Sequence, residues 1–100
     1  MSFPNAFTPN PDGPSDGTYT YGDRSNHVFY PSVQKGIVEY QLQIFSRWGE
    51  LMFQSNDVKK GWDGYFKNEL CPQGVYIWRV RAKFSNGHIT TQAGDVTLIR

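Results

Sequence analysis

Apolar and polar side chains alternate in two stretches of this chain, residues 38–46 and residues 75–84. In the first stretch, Tyr40, Leu42 and Ile44 are each separated by one polar residue. In the second, the side chains predicted to face the core are Tyr76, Trp78, Val80, Ala82 and Phe84. Since successive side chains of a β-strand point to opposite faces, a period of two predicts a strand with one buried face. The two stretches therefore predict the longest strands of a sheet.

Short apolar segments bounded by turn-forming residues predict the remaining strands. Extended pieces are expected at residues 3–8, 28–30, 50–54, 88–91 and 96–99, and Asn86-Gly87 predicts a tight hairpin turn. No stretch has a convincing helical period. The pattern predicts an all-β fold, an immunoglobulin-like antiparallel β-sandwich of about seven strands. A small Greek-key barrel is the alternative.

The turn Arg47-Trp48-Gly49-Glu50 joins two of the predicted strands and carries large side chains. Gly49 is expected to adopt a backbone conformation that a residue with a Cβ adopts only at a cost. Trp48 is predicted to bury its ring at this corner, with Arg47 lying across an aromatic face. The pattern therefore predicts a strand, a tight corner and a second strand.

A second glycine-bounded turn, Gly61-Trp62-Asp63-Gly64, also carries a tryptophan. Two interpretations of Trp48 and Trp62 are open. The favoured one is that both rings close the ends of the hydrophobic core, because each lies in a turn that needs an anchor. The other is that the rings form a platform for carbohydrate.

Composition limits the functions that this chain can serve. Its 100 residues predict a single domain over residues 1–100, and Met1-Ser2 directly before Phe3-Pro4 indicates an added start on a fragment of a longer protein. Ten Lys and Arg residues nearly balance nine Asp and Glu residues, which argues against nucleic acid or an anionic membrane as the main partner. No apolar run approaches the length of a membrane span.

Candidate catalytic residues are few. His27 and His88 are the only general bases near neutral pH, and neither belongs to a nucleophile motif, so no enzymatic activity is predicted. The lone Cys71 cannot form an internal disulfide and is expected to be a small buried hydrophobe rather than a reactive thiol.

A turn-rich loop offers oxygen atoms that suit calcium. The candidate ligands are Asn10, Asp12, Ser15 and Asp16. Their spacing is not that of an EF-hand, and Asx and Ser residues beside Pro and Gly commonly cap turns with their own side chains. The turn is the favoured interpretation, and no metal or cofactor is predicted.

Three basic residues, Arg79, Arg81 and Lys83, alternate along the longest predicted strand. The favoured interpretation is an ordinary solvent face, whose long charged side chains also discourage edge pairing if the strand lies at an edge. A nucleic-acid groove would need more charge and exposed stacking rings. A protein-docking face is the more credible functional use.

Five motifs in order resemble one known family. They are Asn5-Ala6-Phe7-Thr8-Pro9-Asn10, Arg47-Trp48-Gly49-Glu50, Gly61-Trp62-Asp63-Gly64, Pro72-Gln73-Gly74-Val75-Tyr76 and Gly94-Asp95-Val96-Thr97-Leu98-Ile99-Arg100. Together they resemble the gliding motility-associated C-terminal domain of Bacteroidetes, the type B sorting domain of the type IX secretion system. Two departures are Pro11 and His27, which replace a Gly and an Asp of the family pattern, and residues 14–25 resemble a loop insertion.

The resemblance implies a folded export signal. Such domains end large secreted or cell-surface proteins and direct the N-terminal cargo from the periplasm through the outer-membrane translocon, with a partner of the PorP/SprF-like kind. A signal recognised as a fold needs an exposed docking surface. The candidate docking residues are Arg47, Trp48, Gly49, Trp62, Asp63, Val96, Leu98 and Arg100. The alternative functions are a carbohydrate-binding or adhesive module and a structural β-domain of a surface protein.

Overall fold

The computed structural model describes residues 3–9, 28–31, 36–67 and 69–100, and the regular structure within these residues is entirely β. The strands are β1 (Ala6–Phe7), β2 (Ile37–Phe45), β3 (Leu51–Ser55), β4 (Tyr65–Phe66), β5 (Glu69–Leu70), β6 (Gly74–Phe84) and β7 (Ile89–Leu98). The all-β prediction of about seven strands is confirmed. The candidate calcium ligands, His27 and the insertion at residues 14–25 lie outside the described residues.

Five strands form one sheet in the order β1-β7-β6-β2-β3, and β4 pairs with β5 in a separate small sheet. The pairs β2–β3, β2–β6 and β6–β7 are antiparallel, as predicted. The pair β1–β7 is parallel, with Ala6 opposite Thr97. Strand β6 lies in the middle of the sheet, so the prediction that its basic residues protect an edge does not apply.

The length of β7 differs from the prediction. The sequence predicted two separate pieces at residues 88–91 and 96–99, whereas the structure has one strand that pairs with β6 over ten residues. Gly94 lies inside this strand opposite Trp78, and a Cβ at position 94 would lie 2.8 Å from Cζ2 of the indole. The glycine therefore makes room for the ring while the strand continues through it.

The core lies against the inner face of the large sheet. Tyr40, Leu42 and Ile44 of β2 are buried, as the period of two predicted. The inner residues of β6 and β7 that join them are Tyr76, Val80, Ala82, Val96 and Leu98. The buried rings of Phe29 and Trp62 pack against this core and contact Phe7 of β1, and an isolated bridge pairs Phe29 with Trp62. The result is a sandwich-like arrangement with one large sheet.

Cys71 lies in this core next to β5. Its side chain is buried, which confirms the predicted role as a small hydrophobe. Burial, and to a smaller extent the nearby carboxylate of Asp63, raise the pKa of the thiol to about 11, although a hydrogen bond with Tyr76 acts in the opposite direction. The thiol is therefore protonated and unreactive at neutral pH.

Candidate docking surface

The corner between β2 and β3 is a turn held by its own first residue. The Ser46 hydroxyl accepts hydrogen bonds from the amides of Trp48 (3.2 Å) and Glu50 (3.1 Å). The Gly49 amide donates to the Ser46 carbonyl at 3.0 Å, and the Ser46 amide donates to the Glu50 carbonyl at 2.8 Å. Gly49 has a φ of +88°, as its predicted role requires. Backbone and hydroxyl groups thus form this corner without any contribution from the indole.

The ring of Trp48 points away from the protein. Its side chain is 88% exposed, so the prediction that it buries its ring at the corner is wrong. The reason is that Ser46 already supplies the anchor that the turn was expected to need. The guanidinium carbon of Arg47 lies 5.8 Å from the centre of the indole, which confirms the predicted contact with an aromatic face.

Trp62 has the opposite environment. Its side chain is fully buried, with ring centres 5.3 Å from Phe7 and 5.1 Å from Tyr76, and its Nε1–H donates to the Tyr65 carbonyl at 3.3 Å. The prediction that this ring closes the core is confirmed. The half-buried Asp63 accepts a hydrogen bond from the Tyr65 amide at 3.0 Å and so holds the turn. The indole of Trp62 is not available to a partner of the folded domain.

The end of the chain is also integrated into the core. Val96 and Leu98 are buried, and the amides of Thr97 and Ile99 donate to the carbonyls of Asn5 and Phe7 at 2.8 and 2.9 Å. Since β6 pairs with the other side of β7, residues 97 and 98 offer no free sheet edge. Arg100 is exposed beyond this pairing.

A groove of about 300 Å³ lies between the corner and the start of β6. Its lining includes Arg47 and Trp48 on one side and Gln73 and Val75 on the other. The side-chain oxygen of Gln73 accepts a hydrogen bond from the Arg100 amide at 3.1 Å. The groove therefore brings the corner and the end of the chain, two of the predicted docking elements, to the same end of the domain.

The sequence model of the CHU_C type IX secretion signal domain matches residues 1–98. The chain belongs to the type IX secretion signal domain family. Its function is that of a C-terminal sorting signal, which directs a cargo protein through the type IX secretion system to the cell surface or the medium. No curated protein sequence matches the chain.

Membership of this family has consequences for chemistry and partners. A type IX signal domain is a sorting module and not a catalytic family, and it acts with the secretion machinery and with a cargo region N-terminal to it. Among the residues that the structure describes, no group of three or more His, Cys, Asp or Glu side chains is placed to hold a metal ion. His88 is exposed beside the hairpin turn. The described part of the chain contains no helix long and apolar enough to cross a membrane.

One surface feature of this sorting domain was not predicted as a site from the sequence. The outward face of the large sheet carries an apolar row, Leu51, Phe45 and Ile77, on three neighbouring strands. Leu51 and Ile77 are each 43% exposed, and Val75, the previous outward residue of β6, is 46% exposed. The available signal was the presence of aliphatic residues on the face of residues 75–84 that was predicted to be polar.

Proposed function

We propose that this type IX sorting domain docks onto the export machinery through its exposed corner, residues 46–50, with Arg100 beside it. The observation that carries the proposal is the 88% exposure of Trp48 in a turn that is fully hydrogen-bonded without it. An exposed indole at such a position contributes little to folding, and tryptophan is enriched at protein interfaces, which supports a contact with another molecule. Trp and Arg are also the residues that most often dominate binding energy at protein interfaces.

The backbone conformation of the corner is already fixed in the free domain. Four hydrogen bonds fix the turn, and Gly49 provides the left-handed conformation that closes it. The Arg47 guanidinium lies over one face of the indole. A backbone turn that is already ordered reduces the entropy lost when a partner binds. The adjacent groove of about 300 Å³ provides room for a side chain of the partner.

The proposed partner is an outer-membrane protein of the PorP/SprF-like kind, and the proposed signal is the single domain formed by residues 1–100. In this arrangement, the candidate residues form two groups, those at the surface and those that support the fold. Arg47, Trp48, Gly49 and Arg100 face the partner. Trp62, Asp63, Val96 and Leu98 act indirectly, by holding the fold on which the corner is presented.

The test is an export assay. Residues 3–100 are fused behind a signal peptide and a fluorescent reporter and expressed in a type IX-competent bacterium and in its translocon mutant, with the native PorP/SprF-like protein co-expressed. We expect the wild-type fusion outside the competent cell and in the periplasm of the mutant. Trp48→Ala is expected to reduce the exported fraction by about tenfold or more, because it removes a central anchor.

The matched control is Ile89→Ala. Ile89 is another exposed apolar side chain, and it lies at the opposite end of the same sheet. Both variants must keep the melting temperature of the wild-type domain. Normal export of Trp48→Ala would contradict the docking role of the corner. Deletion of residues 96–100 is not a useful test, because the buried Val96 and Leu98 are needed for folding.

The exposure of Trp48 also favours a second candidate function, the binding of carbohydrate on the indole face. This function predicts that the isolated domain binds a glycan array and that Trp48→Ala removes the signal. Trp62→Ala cannot serve as an equal test, because this ring is buried. A domain that is exported through Trp48 and binds no glycan would exclude the second candidate.

A further inference from the structure

The basic residues of β6 lie in the centre of a solvent-facing sheet surface. Arg79 and Arg81 are both exposed on the face opposite the core. Their neighbours on the flanking strands are uncharged. Arg79 lies between Gln43 and Ala93, and Arg81 lies between Gln41 and Thr91. On the same face, one pair further along the ladders, the exposed carboxylates of Asp95 and Glu39 lie opposite Ile77 and Lys83.

These two arginines have no acidic partner in the described part of the chain. The ion pair found there joins the next basic residue, Lys83, to Glu39 across the β2–β6 ladder at 3.9 Å. Arg79 and Arg81 are two residues apart on one face, so their like charges repel each other. A group with negative charge placed above them would relieve this repulsion. Within the described residues neither guanidinium is held in an ion pair, so both are available to an acidic partner.

Edge protection does not account for the two arginines. Long charged side chains on an edge strand prevent unwanted pairing, but β6 is hydrogen-bonded on both sides, to β2 and to β7. High β-propensity explains single exposed Val and Ile residues, but arginine has no such preference. An ordinary solvent face accommodates both charges, and a docking function would use them in addition.

An apolar strip adjoins the arginines on the same face. Leu51, Phe45 and Ile77 form one row across β3, β2 and β6, and Ile77 precedes Arg79 on the outward side. Val75 continues the strip to the groove beside Trp48. The strip thus connects the arginine pair with the proposed docking corner. The combined surface is aromatic at one end, aliphatic in the middle and basic at the other end.

The surface favours a protein over other anionic partners. Arginine binds a carboxylate through two parallel hydrogen bonds, and aliphatic side chains accept the aliphatic side chains of a partner. A nucleic acid would need several exposed stacking rings beside the arginines, whereas the one ring of this strip, Phe45, is half-buried and the exposed carboxylate of Asp95 lies opposite Ile77. Only one end of the surface, at Trp48, carries an exposed indole.

We infer that the outward face of the large sheet binds an acidic segment of the protein on which the sorting domain docks, with Arg79 and Arg81 facing its carboxylates. Aliphatic residues of the same segment lie on the strip formed by Leu51, Phe45, Ile77 and Val75. The inference rests on the proposed docking function and extends it, because it gives the chemistry of the partner and a second contact region.

The first test reverses the charges. In the export assay, Arg79→Glu/Arg81→Glu is compared with Lys59→Glu/Lys60→Glu, which makes the same charge change in the exposed loop after β3. The arginine variant is expected to lower the exported fraction by about tenfold or more, because it places like charges against the partner. The lysine control is expected to stay within about twofold of wild type, since it lies outside the docking surface. Both variants are purified, and equal melting temperatures establish that they fold.

The second test identifies what lies on the face. A photoreactive phenylalanine analogue replaces Ile77, and the adduct formed in exporting cells is analysed by mass spectrometry. The expected adduct is a protein peptide rich in Asp and Glu, formed less when Arg79 and Arg81 are changed to Glu. An adduct with lipid or nucleic acid, or no protein adduct, would overturn the inference.

The outcomes separate this inference from the proposed function. If Arg79→Glu/Arg81→Glu is exported normally while Trp48→Ala is not, the corner docks and the acidic-partner inference fails. If the wild-type fusion stays in the periplasm although its native partner is present, the proposed docking function fails first. Loss of export in both the arginine variant and the lysine control would show a general charge effect and would also overturn the inference.

Discussion

The two tryptophan turns offer a direct test of how this fold is held together. The perturbation is Trp62→Ala, compared with Trp48→Ala. Both residues lie in glycine-bounded turns and both changes remove the same atoms, but Trp62 is fully buried and Trp48 is 88% exposed. If burial determines the energetic contribution of these rings, one variant loses much of its stability and the other loses almost none.

The magnitude follows from the buried surface. A buried indole removes about 150–250 Å² from water, and at about 25 cal/mol per Å² this gives about 4–6 kcal/mol as an upper estimate. Truncation of a large core aromatic typically costs about 3–5 kcal/mol, so about 4 kcal/mol is expected for Trp62→Ala. The Tyr65 carbonyl also loses the hydrogen bond from Nε1 at 3.3 Å. For Trp48→Ala, the expected change is within about 0.5 kcal/mol.

The assay is equilibrium unfolding in urea, followed by circular dichroism so that the loss of a fluorophore does not matter. A loss of about 4 kcal/mol corresponds to a fall in melting temperature of about 15–30 °C for a domain of this size. Since such a domain has about 5–15 kcal/mol of stability, Trp62→Ala is expected to be near the limit of folding. Trp62→Phe keeps part of the contact with Phe7 and Tyr76 and should be intermediate.

A loss of less than about 1 kcal/mol for Trp62→Ala, a value typical of an exposed or weakly packed position, would refute the assigned role of this ring in the core. Equal destabilisation by Trp48→Ala and Trp62→Ala would refute it as well. In that case the corner would depend on the indole, and the hydrogen bonds of Ser46 would not be sufficient to hold it.

Two further predictions concern a glycine pair and the buried thiol. Gly61→Ala places a Cβ against the Phe29 carbonyl oxygen, which the backbone pairing holds in place, so unfolding experiments should show a loss of about 3 kcal/mol. In Gly49→Ala the added Cβ meets no atom within 4 Å, so the free energy of unfolding should fall only by the strain of a φ of +88°, about 1–2 kcal/mol. A larger loss of stability for Gly49→Ala than for Gly61→Ala would contradict this prediction. Because the pKa of Cys71 is raised from 9.0 to about 11, its contribution to stability is complete below pH 9 and is lost as the pH rises toward 11. In urea unfolding, the difference in the free energy of unfolding between wild type and Cys71→Ala should fall by about 2–3 kcal/mol as the pH rises. A difference that is constant with pH would refute this prediction.

Much of the fold can be predicted from local pattern. The period of two in β2 and β6 reflects the geometry of a strand with one buried face, and the structure places Leu42, Ile44 and Val80 in the core accordingly. The hairpin at Asn86-Gly87 follows from turn chemistry, since Gly87 has a φ of +86°. These features depend on neighbouring residues, which is why the sequence is sufficient to predict them.

The environment of each tryptophan was decided by tertiary structure. Trp48 and Trp62 have similar local sequences, but only Trp62 meets partners from distant parts of the chain, Phe7, Phe29 and Tyr76. The corner at Trp48 is closed by Ser46 instead, and this removes the need to bury the ring. Burial depends on what packs against a residue, and a local pattern does not contain that information.

The sequence is sufficient to predict the β class, the two long strands and, through five ordered motifs, the sorting family that the match over residues 1–98 then showed. Which candidate residues reach the surface depends instead on how the strands pair and pack. Pairing with β1 and β6 placed Val96 and Leu98 in the core, and the central position of β6 left Arg79 and Arg81 in the middle of an open face. Strand order is set by contacts between residues far apart in the chain, and these contacts separate a docking surface from the core that supports it.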